Sequence, residues 1–446
     1  MNRTVTHLIP GSGARKTVAM GLLLWGVPQI APVTFAAGNA KKLLALPRYG
    51  LGALASMIVP RRRDLWVFGS GPGIGEGALA LYRTARAADP ALTLLWLARD
   101  DRDLAAATAL GVPAVLKSSR SGLRATLRAR VIVVTHGFGD VNRYGLRGGF
   151  VVQLWHGIPL KLINLDSPAT LRTRLLPDSA TVRRMLRLMY RRAARSIDFL
   201  PAASEVSASR LRTAFELPHD RVVVTGDPRD DVLLRGEDGE RSAIARALVF
   251  ERLGTAPSDS RLLLYAPTWR DGEADPGIPT DGEWRRIAAV LDASDSILLV
   301  RPHPHGVGDY AAGPAVSDRI LLFDSRLCTD VTPALPAVDI LITDYSSIAY
   351  DFALTGRPIV FLAPDVEAYT ASRGLYVAYS TFSGGSETAS WGEALDLIER
   401  ADTAPATRKR LAEHSESLAT AHHAYRDGRN TDRVYREITT RLKEHE

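Results

Sequence analysis

The strongest constraint on the fold is an alternation of short apolar runs with stretches of helical periodicity, which occurs in two series along the chain. The first series begins at Asp64–Gly69 and ends at Arg221–Thr225, and the second begins at Arg261–Ala266, with its last apolar run at Pro358–Leu362. Alternation of this kind predicts βαβ units and one parallel sheet in each series. At roughly 100–200 residues per domain, a chain of 446 residues holds both halves and an additional segment. We therefore predict an α/β protein with two halves and a cleft between them.

The composition narrows the class of protein further. Hydrophobic residues make up 46% of the chain and charged residues 24%, which excludes a disordered, collagen-like or low-complexity chain. The single cysteine, Cys328, excludes an internal disulfide framework and a zinc site made of four cysteines.

Four parts are predicted along the chain. A charged stretch, Arg229–Arg246, is interpreted as an irregular region between the two halves, and helices at Trp391–Ala401 and Arg408–Leu442 are expected to end the chain. The predicted parts are a basic apolar segment (1–63), a first α/β domain (64–240), a second α/β domain (255–420) and a C-terminal helix (421–446).

The basic charge is concentrated in the first 63 residues, which contain nine Lys or Arg and no Asp or Glu. Their apolar stretches, 18–35 and 43–59, are interrupted by prolines, so neither supplies a regular span of about 20 apolar residues. Broken apolar segments flanked by cations favour attachment to the surface of an anionic membrane. A disordered leader, and a secretion signal or spanning helix, are the alternatives.

Several side chains suited to anion chemistry follow predicted strands, and ligands of parallel sheets bind at that edge. His156 stands in a Gly- and Pro-containing turn, where it would act as a general base or merely cap the turn. Arg229 follows another strand, where it would bind an anion or make a local ion pair. Arg270, Arg301 and His303 follow two strands of the second half, and together they indicate an anion site.

The segment Asp344-Tyr345-Ser346-Ser347 stands between a predicted strand and a predicted helix, Ser347–Thr355. Unpaired N–H groups and hydroxyls at such a helix start hold phosphate well, although serine is also an ordinary helix cap. The acidic pair Asp230-Asp231 suggests a metal site or a helix cap. No third ligand is placed by spacing, so no metal site is predicted.

Two further segments are basic or glycine-rich. The run Gly69–Gly75 lacks the Lys-Ser/Thr of a P-loop and is interpreted as a loop that lines the acceptor side of the cleft. Arg183–Arg195 has the pattern of a basic amphipathic helix, which would contact a membrane surface or a polyanionic acceptor, or would simply be a solvated face. No nucleic-acid-binding module is recognised.

Taken together, these strings resemble the CDP-glycerol glycerophosphotransferases of teichoic acid synthesis, the TagB/TagF type, from residue 64 to about 440. Asp230 stands where that family commonly has Asn. The matching motifs are Trp155-His156-Gly157-x-Pro159-Leu160-Lys161, Gly226-x-Pro228-Arg229-x-Asp231, Tyr265-Ala266-Pro267-Thr268-Trp269-Arg270-Asp271, Arg301-Pro302-His303, Thr343-Asp344-Tyr345-Ser346-Ser347, Arg357-Pro358 and Asp365-x-Glu367-x-Tyr369.

The resemblance implies a GT-B-like fold in which a Rossmann-like acceptor domain faces a Rossmann-like nucleotide-donor domain. It also implies a peripheral location at the cytoplasmic face of the membrane. The expected reaction transfers a polyol phosphate, glycerol phosphate first, from a CDP-activated donor to a hydroxyl of a lipid-linked acceptor and releases CMP. No cofactor is expected.

The same resemblance assigns roles to single residues. His156 is expected to accept the proton of the acceptor hydroxyl, and His303 to act with it at the diphosphate. Lys161 and the arginines of the basic helix are expected at the acceptor or the membrane. The expected donor and phosphate ligands are Arg229, Arg270, Arg301, Asp344, Ser346, Ser347 and Glu367, and the expected acceptor or membrane contacts are Lys161, Arg183, Arg184, Arg187 and Arg191.

Two other functions are compatible with these patterns. A GT-B glycosyltransferase with a nucleotide-sugar donor would share the fold and the phosphate-binding helix start. A non-catalytic membrane scaffold that binds anionic polymer would release no nucleotide from any donor, and His156 would be dispensable in it.

Overall fold

A computed structural model describes residues 46–171, 179–270, 274–304, 306 and 308–444. The apolar stretch 18–35, most of the predicted segment 1–63, and the motif residue Asp271 lie outside this range, so the predictions for them stay predictions.

The first series of apolar runs forms a parallel sheet of five strands in the order β3-β2-β1-β4-β5. A parallel pair, β6 and β7, continues it through a single bridge between Val152 and Phe199. The strands are β1 (Arg62–Phe68), β2 (Thr93–Ala98), β3 (Ala114–Leu116), β4 (Ala129–Val134), β5 (Phe150–Gln153), β6 (Leu200–Ala202) and β7 (Val222–Val224).

A second parallel sheet of six strands has the order β10-β9-β8-β11-β12-β13. Both of its faces are covered by apolar side chains, as parallel sheets require. Its strands are β8 (Arg261–Ala266), β9 (Ser296–Val300), β10 (Ile320–Leu322), β11 (Ile340–Thr343), β12 (Ile359–Leu362) and β13 (Glu387–Thr388). The prediction of two parallel α/β halves is confirmed.

We call 62–234 the first lobe and 238–422 the second lobe. The helices up to the end of the first lobe are α1 (Leu46–Ile58), α2 (Glu76–Ala88), α3 (Asp101–Ala109), α4 (Arg120–Arg128), α5 (Ala180–Ala194), α6 (Glu205–Phe215) and α7 (Asp231–Leu234). The remaining helices are α8 (Asp238–Leu253), α9 (Asp281–Ala293), α10 (Ala312–Val316), α11 (Ile348–Ala353), α12 (Val366–Arg373), α13 (Tyr379–Ser383), α14 (Trp391–Thr403), α15 (Pro405–His422) and α16 (Asn430–Glu444).

The stretch predicted to be irregular, Arg229–Arg246, is mostly helical, and this corrects the prediction. Helix α8 begins at Asp238 and buries Val249 and Phe250 in the core of the second lobe. Its many charges occupy the outer face, which is why composition alone suggested a linker.

The prediction of a single helix over Arg408–Leu442 is wrong, because the structure has two helices in this range. Helix α15 ends at His422, and α16 begins only at Asn430. Helix α16 then returns to the first lobe, where Val434 and Ile438 are fully buried. The C-terminal helix therefore packs on the first lobe.

Helix α1 lies against the first lobe with one face exposed. Gly52 packs so closely on the backbone of Tyr144 that a Cβ there would lie 2.1 Å from its carbonyl oxygen. Arg61, just after the helix, donates to backbone carbonyls of the first lobe, among them Thr126 and Gly145, at 2.9 Å each. None of the helices in the described ranges combines the length and apolarity needed to span a membrane.

Candidate active site

The carboxyl ends of the two sheets face each other across a shared seam. In the first lobe β4 leads to His136 and β5 to His156, and in the second lobe β11 leads to Asp344. A Cβ on Gly157 would lie 3.3 Å from Ser347 Oγ, which shows how closely the turn after β5 approaches the start of α11. Parallel strands thus bring the side chains predicted at their ends to one place.

The turn that carries His156 is sharp because two of its residues have positive φ. Trp155 has φ 65° and Gly157 has φ 126°. A Cβ on Gly157 would lie 2.9 Å from Arg229 Nη2, so glycine is required both for the backbone angle and for this close approach. The Trp155 ring packs on Phe215, at 5.2 Å between centroids, and anchors the turn to α6.

A second histidine, which the sequence reasoning missed, lies against the first. The rings of His136 and His156 are stacked with centroids 4.0 Å apart and planes 7° apart. His156 Nδ1 lies 3.5 Å from the carbonyl oxygen of Thr135. Burial lowers the pKa of His136 to about 4 and lowers that of His156 well below 6.5, with His136 and Arg229 adding to the second effect. Both imidazoles are therefore neutral at pH 7.

Arg229 fixes the histidine turn and also joins the lobes. Its guanidinium donates to the His156 carbonyl oxygen at 3.0 Å and forms a buried ion pair with Asp351 on α11. Asp227 lies 3.6 Å away on the other side. Burial alone would lower the pKa of Arg229, but the nearby carboxylates, Asp351 first, raise it well above the usual value. Its charge is already paired by protein carboxylates.

The start of α11 presents two serines to the seam. The helix has only six residues, fewer than predicted, so its macrodipole is small. The N–H groups and serine hydroxyls at its start therefore contribute more to anion binding than the macrodipole does. Ser346 Oγ accepts a long hydrogen bond from the Ile348 N–H at 3.4 Å. Ser347 makes no capping hydrogen bond with its side chain. Both hydroxyls are half-buried.

Arg270 is held in a carboxylate and tyrosine cage. It donates to both oxygens of Asp365 at 2.8 and 2.9 Å and to Asp344 at 3.0 Å. Its guanidinium also lies 4.6 Å from the Tyr369 ring centroid and 5.1 Å from that of Tyr345. Asp344 in turn accepts from the backbone N–H groups of residues 268 and 345. These contacts place Arg270 and Asp344 in the wall of the site.

Lys161, which was predicted to contact the acceptor or the membrane, lies in the seam. It pairs with Leu375 of the second lobe in an isolated antiparallel bridge. Burial lowers the pKa of Lys161 to about 8, and Asp344 partly opposes this effect. Its ammonium group thus interacts electrostatically with Asp344 of the second lobe.

The remaining predicted donor ligands lie on the second lobe. Arg301 donates to the carbonyl oxygens of Phe323 and Thr329, at 3.1 and 3.3 Å. The His303 ring stacks on Trp269 with centroids 5.8 Å apart. Glu367 is exposed in the first turn of α12.

The predicted acceptor or membrane arginines, Arg183, Arg184, Arg187 and Arg191, are all exposed on α5. Arg187 and Arg191 both pair with Glu216, at 3.3 and 2.8 Å. On the same helix the apolar side chains of Met185 and Leu188 are exposed as well. The predicted amphipathic basic helix is present at these positions.

The acidic pair Asp230-Asp231 has structural partners. Asp230 lies 3.1 Å from His423 Nδ1, and Asp231 accepts the N–H groups of Asn430 and Thr431 at the start of α16. Asp231 is therefore a helix cap. Within the described ranges, no group of three or more His, Cys, Asp or Glu is placed to hold a metal ion.

Glu76 is a second residue that sequence reasoning treated only as a helix start. Its carboxylate lies 3.9 Å from His136 Nδ1 and accepts from Ser70 at 3.2 Å. Its backbone N–H donates to Asp330 of the second lobe at 2.8 Å. Burial raises the pKa of Glu76 to about 7, and Asp330 adds to the effect. The glycine run before it thus borders both lobes.

The fold and the strand-end histidines define a two-lobed α/β protein whose site lies between parallel sheets. The chain belongs to the CDP-glycerol:poly(glycerophosphate) glycerophosphotransferase family, whose model matches residues 53–440. The resemblance carried by the sequence motifs is confirmed.

Curated relatives come from teichoic acid synthesis. The teichoic acid poly(glycerol phosphate) polymerase of Staphylococcus epidermidis is 28% identical over 260 residues, which are 55% of this chain and 33% of that protein. The teichoic acid glycerol-phosphate transferase of Staphylococcus aureus is 27% identical over 302 residues, 65% of this chain and 72% of that protein. The chain thus spans about a third of the polymerase that it matches.

Among solved structures, the wall teichoic acid polymerase TagF has a similar fold. It superposes with a TM-score of 0.71 at 21% identity and covers 92% of this chain and 98% of that one. The predicted GT-B-like fold with two facing lobes is confirmed at this level.

Proposed function

We propose that the chain transfers a polyol phosphate from a CDP-activated donor to a hydroxyl of a teichoic-acid-type acceptor and releases CMP. The observation that carries the proposal is the approach of the His156 turn to the serine-bearing start of α11 across the seam. A neutral imidazole and a set of phosphate-binding groups are what such a transfer requires. The family match and the named relatives support the same reaction.

In the proposed step the acceptor oxygen attacks the β-phosphorus of the CDP-polyol. A new P–O bond forms, the bond from that phosphorus to CMP breaks, and the hydroxyl proton passes to His156. The Thr135 carbonyl oxygen near His156 Nδ1 only accepts hydrogen bonds, so it favours the tautomer with hydrogen on Nδ1. Nε2 then receives the proton, and the bound diphosphate stabilises the imidazolium that forms.

The developing charge on phosphate is stabilised from the second lobe. Ser346 and Ser347 supply hydroxyls and the N–H groups of α11 point toward the same side. Lys161 adds a cation whose pKa of about 8 leaves it mostly protonated at pH 7. Arg270 acts in this proposal by positioning Asp344, because four of its five N–H donors already bond to carboxylates and a carbonyl.

The nucleotide is proposed to lie on the second lobe. His303 and Trp269 form an aromatic surface after β8 and β9, and Arg301 fixes the loop beneath them through two backbone carbonyls. Glu367, which is exposed in the first turn of α12, is proposed to bind the ribose, and Arg229 serves by holding the histidine turn. We propose no cofactor for the reaction.

We also propose a peripheral location on the cytoplasmic face of an anionic membrane, where a lipid-linked acceptor is available. Helix α1 exposes Leu51, Leu54, Met57 and Ile58 along one face. Helix α5 exposes Met185 and Leu188 among arginines. Apolar side chains beside cations are typical of helices that lie in a membrane interface.

A donor panel tests the reaction. The full-length protein is incubated with acceptor-containing membrane extract and with CDP-glycerol, CDP-ribitol or nucleotide-sugars, and the released nucleotide and the product length are measured. We expect CMP release with a CDP-polyol, CDP-glycerol first. Release of a nucleoside diphosphate from a nucleotide-sugar would favour the glycosyltransferase alternative, and no release with any donor would favour a scaffold.

A further inference from the structure

His136 is placed to act on His156, although the transfer proposed above assigns it no step. The two rings overlap almost in parallel, with 4.0 Å between centroids and 7° between planes. They are held by different segments, one after β4 and one after β5, so the stack is a tertiary contact. Stacking of this kind restricts ring rotation, and a base must point at its proton to be effective.

The His136 ring is itself held from three sides. Its Nδ1 lies 2.8 Å from Thr135 Oγ1, which in turn lies 3.0 Å from Ser70 Oγ. Its backbone N–H donates to Asp140 at 2.7 Å. A Cβ on Gly71 would lie 2.7 Å from His136 Cγ, so the glycine run packs directly on the ring. The outer ring is therefore rigid enough to fix the inner one.

The charged groups around the pair leave both rings neutral. His136 keeps about a third of its side chain exposed and has the Glu76 carboxyl group 3.9 Å from Nδ1. Arg229 lowers the pKa of both rings, and Lys161 lowers that of His156 further. Asp330 and Asp140 lie on the Glu76 side of the pair. On acidification Glu76 takes up a proton before His136, because its pKa is about 7 and that of His136 is about 4.

We propose that His136 is a positioning residue for His156: its stacked ring fixes the plane of the inner ring and so the direction of the nitrogen that accepts the proton. A neutral outer ring does this without opposing the imidazolium that forms on His156, whereas two cations at 4.0 Å would repel. This inference rests on the proposed transfer for its effect on catalysis, while the restriction of the inner ring is independent of it.

Two substitutions separate the stacked ring from its nitrogens. His136→Phe keeps a flat ring and removes the nitrogens, whereas His136→Ala removes both. We expect kcat for CMP release from CDP-glycerol to fall about 10-fold to 100-fold in the Ala variant, with KM changed less than about twofold. The Phe variant should recover most of this loss in kcat, because the stacked ring is kept.

A second readout needs no turnover. NMR relaxation of the His156 ring in histidine-labelled full-length protein, with His156 assigned by His156→Gln, should show more ring motion in the Ala variant than in wild type or the Phe variant. His219→Ala, at an exposed histidine before β7, is the matched control and should change neither readout.

Three results would overturn the inference: wild-type kcat in the Ala variant, a Phe variant as slow as the Ala variant, or unchanged motion of the His156 ring in the Ala variant. If wild-type protein releases no CMP from any CDP-polyol but the ring motion changes as expected, the proposed function fails and the restriction of the inner ring stands.

Discussion

At the scale of single residues, the site depends on backbone positions that only glycine fills well. Gly157 combines a φ of 126° with an approach to Arg229 Nη2 that leaves no space for a side chain. Gly111 also has positive φ, 67°, but nothing lies within 4 Å of the Cβ it would carry. Comparing substitutions at the two positions therefore separates the effect of backbone strain from the effect of losing the close contact with Arg229.

Replacing Gly157 by Ala should displace Arg229 and tilt the histidine turn. We expect a loss of stability of about 1–3 kcal/mol from the strained φ and a fall in kcat of at least about 10-fold from misplacement of His156. Denaturant unfolding and CMP release measure the two effects. Gly111→Ala should cost only strain and leave kcat unchanged, and equal losses of kcat in both variants would refute the role of the contact.

Glu76 gives a prediction on pH. Burial raises its pKa from 4.5 to about 7 in the folded protein, so the folded state binds more protons than the unfolded state between these values. The Glu76 contribution to stability is therefore lost as the pH rises from about 4.5 to 7, by an amount on the order of 3 kcal/mol.

Glu76→Gln removes this titration. At pH 8 the variant should have a larger free energy of unfolding than wild type. At pH 5 this difference should be smaller or absent, and denaturant unfolding at both pH values measures it. Glu251→Gln, at an exposed position, should show no such difference. A Gln variant without a pH-dependent gain would contradict the burial argument.

The limits of sequence reasoning at this scale are clear from two pairs of residues. His156 was predicted because a known turn motif surrounds it, whereas His136 stands in Thr135-His136-Gly137, which carries no recognisable pattern. Arg229 was predicted to bind an anion or to make a local ion pair because it follows a strand. Its partner Asp351 is 122 residues away, and no spacing reveals this pair. Stacking and cross-lobe pairing are properties of the folded chain.

At the scale of elements, helices with an amphipathic period were predicted well. Helices α2 and α6 begin and end at the predicted residues, Glu76–Ala88 and Glu205–Phe215. The short strands β6 and β13 were not predicted, since β6 contains Pro201 and β13 has only two residues. The break after His422 was missed because both flanking segments are helical and only Gly428 marks the interval.

Helix α1 carries a prediction about membrane contact. Leu54 is 59% exposed on its apolar face, and burying such a side chain in a bilayer interface is worth roughly 1.5–3 kcal/mol. Leu54→Glu should therefore weaken binding of the full-length protein to phosphatidylglycerol vesicles by about 10-fold or more. Vesicle sedimentation measures this.

The control is another exposed leucine, Leu110, which is 49% exposed at the end of α3. Leu110→Glu changes hydrophobicity and charge by the same amount as Leu54→Glu, but it lies outside the proposed membrane face. Equal losses of binding in both variants would argue against a specific role for α1.

At the scale of the whole molecule, the two lobes are joined by buried polar contacts as well as by α16. The pair of Arg229 and Asp351 crosses the seam, and His423 at the end of α15 reaches Asp230 of the first lobe. The order of motifs in the sequence was enough to predict two lobes and a family. The return of α16 to the first lobe depends on tertiary contacts of Val434 and Ile438, which periodicity does not assign to either lobe.

Arg229→Ala leaves the Asp351 carboxylate buried without its cation. We expect a loss of stability of about 3–5 kcal/mol, measured by denaturant unfolding. Adding Asp351→Asn should recover part of it, because the uncompensated charge is then removed. Arg124→Ala, on an exposed position of α4, should change stability little. No recovery in the double variant would mean that the loss does not come from the unpaired charge.

The central claim is that His156 accepts the proton of the acceptor hydroxyl, and single-residue kinetics test it most directly. His156→Ala and the control His219→Ala are compared for CMP release from CDP-glycerol and for CDP-glycerol affinity by calorimetry. The account predicts a 10²–10⁴-fold lower kcat, about the contribution of one general base, in His156→Ala alone, with donor affinity nearly unchanged. A His156→Ala protein that turns over at close to the wild-type rate would contradict it.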